Sequence, residues 1–245
     1  MATLFAIITV SFFMMKFAPG GPFDQEKSPP ENIRKAIMAK YHLDKPLYKQ
    51  YFIYLGGLAQ LDLGPSFKVA HLTVNEVISE GIGPTLKLGA LAMFIAVSFG
   101  LIIGLIAALN HNSWLDHLVM STAMLGISIP NMVLAPILLL FLGIKMRLLP
   151  VSGLETASSY ILPSFCLSLF FIANIARLTR GSMLEVLSSN YIRTAKSKGL
   201  PTWRIVTFHC LKPTLIPVVS YLGPATAGML AGSLVIEKIF VIPGI

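Results

Sequence analysis

Apolar residues gather along this chain in four long stretches, 88–109, 118–144, 156–176 and 213–236, none of which contains Asp, Glu, Lys or Arg. Each reaches the ~20 residues that a helix needs to cross the hydrocarbon core of a bilayer. The pattern therefore predicts four spanning helices. A fifth apolar run, 1–15, is shorter and closes at Lys16. No positive region precedes it and no small-residue cleavage site follows, so it is not a signal peptide. It reads as the outer part of a first span whose start lies outside this sequence.

The polar segments between these runs carry their own periodicity. Ser28-Pro29-Pro30-Glu31 has the Ser-x-x-Glu spacing of a capping box with proline at the first helical position, and Ile33, Ile37 and Tyr41 follow on one face. A second helix starts at Pro46, with Leu47, Tyr51, Tyr54 and Leu58 on one side, and 61–66 reads as a turn. This makes 17–84 an ordered helical segment, a cap on the membrane domain or a docking surface for an external partner. Further on, 185–198 reads as a helix with Leu184, Leu187, Tyr191 and Ala195 on one face. Gly199-Leu200-Pro201 stops it, because glycine suits the left-handed position after a helix and proline opens the next one. A helix over 202–211 then leads into the last span, so the two short helices form a stiff elbow around Gly199.

Composition fixes the class. The 245 residues are 55% hydrophobic and only 12% charged, against about 25% charged in a soluble domain. The fold class is an all-α integral membrane protein, one domain over 1–245. Disorder is excluded by the apolar content. A disulfide scaffold is excluded because Cys166 and Cys210 are the only cysteines. The net charge of +8 sits largely in 177–212, where Arg177, Arg180, Arg193, Lys196, Lys198, Arg204 and Lys212 face Glu185 alone. A short basic loop beside spans follows the positive-inside rule and needs no nucleic acid. It places 177–212 in the cytoplasm, 17–84 outside and the N-terminus inside.

Ala92, Ala96, Gly100, Gly104 and Ala108 recur every four residues, and Gly228 and Gly232 repeat the spacing in the last span. Small residues so placed let helix backbones approach closely in lipid. Prolines at 130, 136, 163, 217 and 224 bend the spans, as happens where helices line a watery cavity. Ser128, Asn131, Asn174, Ser220, Thr226 and Ser233 are the candidate polar groups of such a pathway, although Ser and Thr also bond their own helix carbonyls. No ionisable residue lies deep in a complete span, which disfavours an ion-coupled pump. There is no phosphate-binding loop, no metal-ligand spacing among the five histidines and no hydrolase motif.

Tyr191-Ile192-Arg193-Thr194-Ala195-Lys196-Ser197-Lys198-Gly199-Leu200, followed by His209-Cys210-Leu211-Lys212-Pro213, resembles the coupling loop of binding-protein-dependent ATP-binding-cassette permeases. The family pattern is Glu-Ala-Ala, three residues, Gly, then Ile-x-Leu-Pro. Ala195, Gly199 and Leu211 match it. Arg193 replaces Glu, Thr194 the first Ala and His209 the Ile, and proline is delayed to Pro213, as in the peptide and nickel variant. The preceding Arg177-Leu178-Thr179-Arg180-Gly181-Ser182-Met183-Leu184-Glu185-Val186 resembles the same peptide and nickel subgroup, and Phe17-Ala18-Pro19-Gly20, Tyr41-His42-Leu43-Asp44-Lys45-Pro46, Asp62-Leu63-Gly64-Pro65-Ser66 and Ile242-Pro243-Gly244 are similar to the B-type subunits of oligopeptide permeases.

The resemblance implies the type I ABC importer permease fold, with about five of six spans inside this sequence. It implies a multi-pass subunit of the bacterial cytoplasmic membrane that imports oligopeptides by alternating access and is not itself an enzyme. Its partners would be a homologous second permease subunit, two ATP-binding-cassette ATPase subunits that bind ATP and Mg, and an external peptide-binding protein. This chain would hold no cofactor and no metal. Tyr191, Arg193, Thr194, Ala195, Lys198, Gly199 and Leu200 would couple it to the ATPase. Dipeptide or nickel import in the same family, and a non-transporting membrane anchor for a cytoplasmic enzyme, are the alternatives.

Overall fold

The computed structural model describes residues 2–17, 44–66, 72–153 and 156–245. The expected capping box at 28–31, the helix after it, residues 18–20 of the Phe17–Gly20 motif and residues 41–43 of the Tyr41–Pro46 motif lie outside the described residues. Two compact units emerge, Met1–Glu80 and Gly81–Ile245. The described secondary structure is helical, apart from a single bridge between Pro65 and Thr73.

In the first unit, α1 (Ala2–Phe17) packs on α2 (Leu47–Ala59). Phe12 is buried and stacks on Tyr54 at 5.4 Å, and Thr9 Oγ1 lies 2.7 Å from Tyr51 Oη. The turn read at 61–66 is present. Gly64 takes a positive φ of 83°, its N–H donates to Asp62 Oδ1, and the Val74 N–H donates to its carbonyl. Thr73 and Glu76 form a reciprocal capping box at the start of α3 (Val74–Leu109): the Thr73 N–H donates to Glu76 Oε2 at 2.7 Å and the Glu76 N–H to Thr73 Oγ1 at 3.2 Å.

The second unit is built round α6 (Ile161–Leu187), the most buried of the long apolar helices. The stretch read as a span over 118–144 is not one straight helix. α4 (Trp114–Ser128) and α5 (Asn131–Leu138, continued by a wide turn over Leu139–Lys145) meet at 105°. Proline disfavours the helical region for the residue before it. Ile129 is extended at φ −98°, ψ 118°, so Pro130 ends one helix and starts another instead of kinking it. The last helical stretch, Thr202–Ile239, is continuous, and its main part is α8 (Leu211–Ile239).

Small residues decide how closely α3 meets α6. A Cβ on Gly100 would lie 2.7 Å from Ile175 Cβ, and one on Gly104 would lie 2.6 Å from both Ala176 O and Thr179 Cβ. Ala92, Ala96 and Ala108 are buried on the same stripe. Gly126, which sequence spacing did not single out, does the same for α4, since a Cβ there would stand 2.7 Å from Leu169 O. Gly228 and Gly232 behave otherwise: they are exposed and have nothing within 4 Å of an added Cβ. Their spacing matches the α3 stripe, but among the described residues no helix covers them.

At the far end of α8 the chain folds back on itself. Glu237, one residue beyond the uncharged stretch, is buried. Thr85 Oγ1 donates to its Oε1 at 2.7 Å and accepts from the Ile245 N–H at 3.2 Å. Gly244 sits directly on the Glu237 carboxylate and against Gly81, where an added Cβ would come within 2.8 Å of the Gly244 backbone.

Gly104→Leu forces α3 off α6. It should destabilise the chain by at least about 1–3 kcal/mol, read as a lowered Tm in detergent. Gly228→Ala, which meets open space, should not lower Tm.

A candidate docking elbow and the cleft beside it

α6 does not stop where its uncharged stretch ends at Ala176 but runs on to Leu187, so Arg177, Arg180 and Glu185 stand on a helix. The single helix read over 185–198 is broken. Ser188 Oγ donates to Glu185 O at 2.7 Å and Ser189 Oγ to Val186 O at 2.6 Å. Serine hydroxyls compete for helix carbonyls in this way. Ser189 turns extended at φ −68°, ψ 151°, and α7 (Asn190–Ser197) starts in a new direction. The break turns Tyr191 outward, off the face where the periodicity placed it, and turns Ile192 in.

α7 ends in a Schellman motif. The Gly199 N–H donates to Lys196 O at 2.9 Å, the Leu200 N–H to Ala195 O at 3.3 Å, and Gly199 has φ +77°. This is the left-handed position that the Gly-Leu-Pro pattern assigns to it. Pro201 then opens a short turn (Thr202–Arg204) and a wide π turn (Ile205–Cys210) into α8.

The elbow has its own core. Ile192, Ala195, Ile205 and Cys210 are buried against Met183 of α6 and Ala108 of α3, with Leu200 packed at the edge. Burying one such Ile contributes about 1.5–3 kcal/mol. Ala195 and Leu200 are thus supports, whereas Tyr191, Arg193, Thr194, Lys198 and Gly199 lie on the exposed face. Trp203 and Phe208 are exposed too, 6.4 Å apart, and the Arg204 guanidinium lies 5.3 Å from the Trp203 ring centre. Nothing in the sequence pattern separated the buried Ile192 from the exposed Trp203, because both readings need the helix directions.

One ion pair holds the base of this structure. Arg180 donates to Asp116 through Nε and Nη2, each at 2.7 Å, and the Asn112 N–H adds a third bond at 3.0 Å. Asp116 is 1% exposed. It lies in the first turn of α4, before the uncharged run, where Ser113 caps the helix. The guanidinium bonds, opposed by burial, leave its carboxyl at about 2, below the ordinary 3.8. The pair ties the 110–117 turn to α6 two turns before the elbow.

The polar pathway candidates do not converge on one channel. Ser128, Ser220 and Thr226 are exposed and donate to their own helices, to Met124 O, Ile216 O and Leu222 O. Ser233 is buried and bonds Leu230 O. Asn131 stands half-buried at the start of α5. Asn174 donates to Phe170 O and accepts from Arg177 Nη2 at 3.1 Å. Between α4 and α6 opens a cleft of about 520 Å³, lined by Asp116, His117, Met120, Ser121, Met124, Arg177 and Arg180. Among the described residues, no group of three or more His, Cys, Asp or Glu could hold a metal ion.

An all-helical membrane domain with a rigid basic elbow is the architecture of an importer's membrane subunit. Residues 100–245 match the family described as "Binding-protein-dependent transport system inner membrane component", and the chain belongs to that family. Its fold is the type I importer fold. It is 49% identical, over 99% of its length and 80% of the relative's, to the oligopeptide transport system permease protein OppB of Haemophilus influenzae. It is 50% identical, over 99% and 80%, to OppB of Escherichia coli K12, and 45% identical, over 99% and 79%, to the dipeptide transport system permease protein DppB of Bacillus subtilis.

Arg180→Gln should cost about 1.5–3 kcal/mol, measured as thermal stability in detergent. A carboxyl depressed on folding stabilises fully above its unfolded pKa and loses that contribution as pH falls through its folded pKa. The wild-type advantage over Arg180→Gln should therefore be constant from pH 5 to 8 and shrink only between about pH 4 and 2.

Proposed function

We propose that this chain is the permease subunit of an ATP-driven importer of oligopeptides, working by alternating access. The elbow is the observation that carries this reading. Its inward face is fully used by a core of its own, so the outward face of Tyr191, Arg193, Thr194 and Lys198 is rigid and free to take a partner. Its second arm, from Thr202 onward, runs without a break into α8, so a push on the corner at Gly199 reaches a spanning helix through Pro201. Partner ATPase subunits bind ATP and Mg, hydrolyse the nucleotide and receive the elbow. A homologous second permease completes the membrane domain, and an external peptide-binding protein delivers cargo. The basic 177–212 segment and the N-terminus face the cytoplasm, and 17–84 faces outward. The relatives named for oligopeptide transport support the cargo assignment. The dipeptide-named relative supports a second reading, import of shorter peptides.

Gly199→Val places a β-branched residue at φ +77°, a strain of at least about 1–2 kcal/mol. In proteoliposomes carrying the complex it should lower both peptide uptake and transport-coupled ATP hydrolysis, with cargo affinity of the binding protein unchanged. Normal uptake by this variant would remove the elbow from the mechanism. Uptake of labelled peptides of graded length, set against nickel, should show a preference for peptides longer than two residues. A preference for dipeptides or nickel would replace the cargo assignment.

A further inference from the structure

Resting on the import reading, we propose that Arg177, at the edge of the cleft between α4 and α6, receives the C-terminal carboxylate of the passing peptide. Arg177 is exposed in an open cleft of about 520 Å³, wide enough to be reached by an extended peptide end. Its carboxamide neighbour Asn174 accepts one of its N–H groups. The adjacent carboxylate cannot serve it, since both oxygens of Asp116 are taken by Arg180 and by the Asn112 N–H. Among the described residues, Asp116–Arg180 is the one ion pair, so Arg177 has no carboxylate of its own. Asn174 engages only Nη2 of Arg177, and the remaining N–H groups of the guanidinium match a carboxylate in shape and charge.

The rest of the lining suits cargo of varied side chains. Met120 and Met124 flank the cleft, and thioether chains adapt to different apolar shapes. Peptides of differing sequence share only their backbone and termini, so a site that accepts many of them must read a terminus. A fixed cation here attracts the carboxylate and repels the ammonium, which orients the peptide. Two residues outside the lining bond to it: Asn174 accepts from Arg177, and Ser128 donates to the carbonyl of Met124.

The test uses the complete importer in proteoliposomes, with its binding protein loaded at saturation. Uptake of labelled tri-alanine and of its C-terminal amide is compared in wild type and Arg177→Gln. Vesicles are made of phosphatidylcholine alone or with added phosphatidylglycerol. The expected result is about tenfold slower uptake of the free acid by Arg177→Gln, no change for the amide, and the same outcome in both lipids. Equal slowing of both peptides, or of neither, overturns the inference while the import reading stands. A defect seen only with phosphatidylglycerol, regardless of the peptide's terminus, makes Arg177 a lipid-headgroup anchor and also overturns it. Absence of ATP-dependent uptake in wild type overturns the import reading and the inference with it.

Discussion

The contact between α3 and α6 at Gly100 and Gly104 sets the geometry of the second unit. In lipid, burying apolar surface does little to bring helices together, and close van der Waals packing must supply the attraction. Two missing side chains let the α3 backbone reach Ile172 O and Ala176 O. The same approach buries Ala108 at the lower end of α3 against Met183 and the elbow. The tight crossing is therefore also what gives the elbow its floor. Thr179 is enclosed there with its hydroxyl unpaired, an expense of close packing that the contact absorbs.

From that floor the elbow follows by local rules. Paired serines end α6, a Schellman turn at Gly199 ends α7, and Pro201 launches the last helix. Each device acts over a few residues, yet together they turn the chain so that apolar side chains meet inside and basic ones face out. The Asp116–Arg180 pair braces the same region from the side of α4. Asp116 is buried and Arg180 partly open, and the two-point contact between them fixes one arrangement of α4 against α6.

At the opposite end of α8, Glu237 shows how a buried carboxylate is accommodated. It meets the Thr85 hydroxyl on one oxygen and a glycine backbone beside the other. The family motif Ile242-Pro243-Gly244 lies on it, and the steric reason for glycine at 244 is visible there.

Composition and the uncharged stretches determined on their own that this is a helical membrane protein, because lipid admits only helices and closed barrels and these stretches are far longer than barrel strands of about 10 residues. The positions of turns were also legible. Gly64 and Gly199 act within a few residues, and their dihedral preferences do not depend on distant partners. What periodicity could not decide was direction. The 105° bend at Pro130, the outward swing of Tyr191 and the burial of Ile192 depend on where neighbouring helices stand. Gly104 and Gly228 share one spacing, but only the packed structure puts a helix against the first and open space at the second. The Asp116–Arg180 pair lay equally beyond the sequence. Its members are 64 residues apart, and charges become partners only when the fold has brought their helices together.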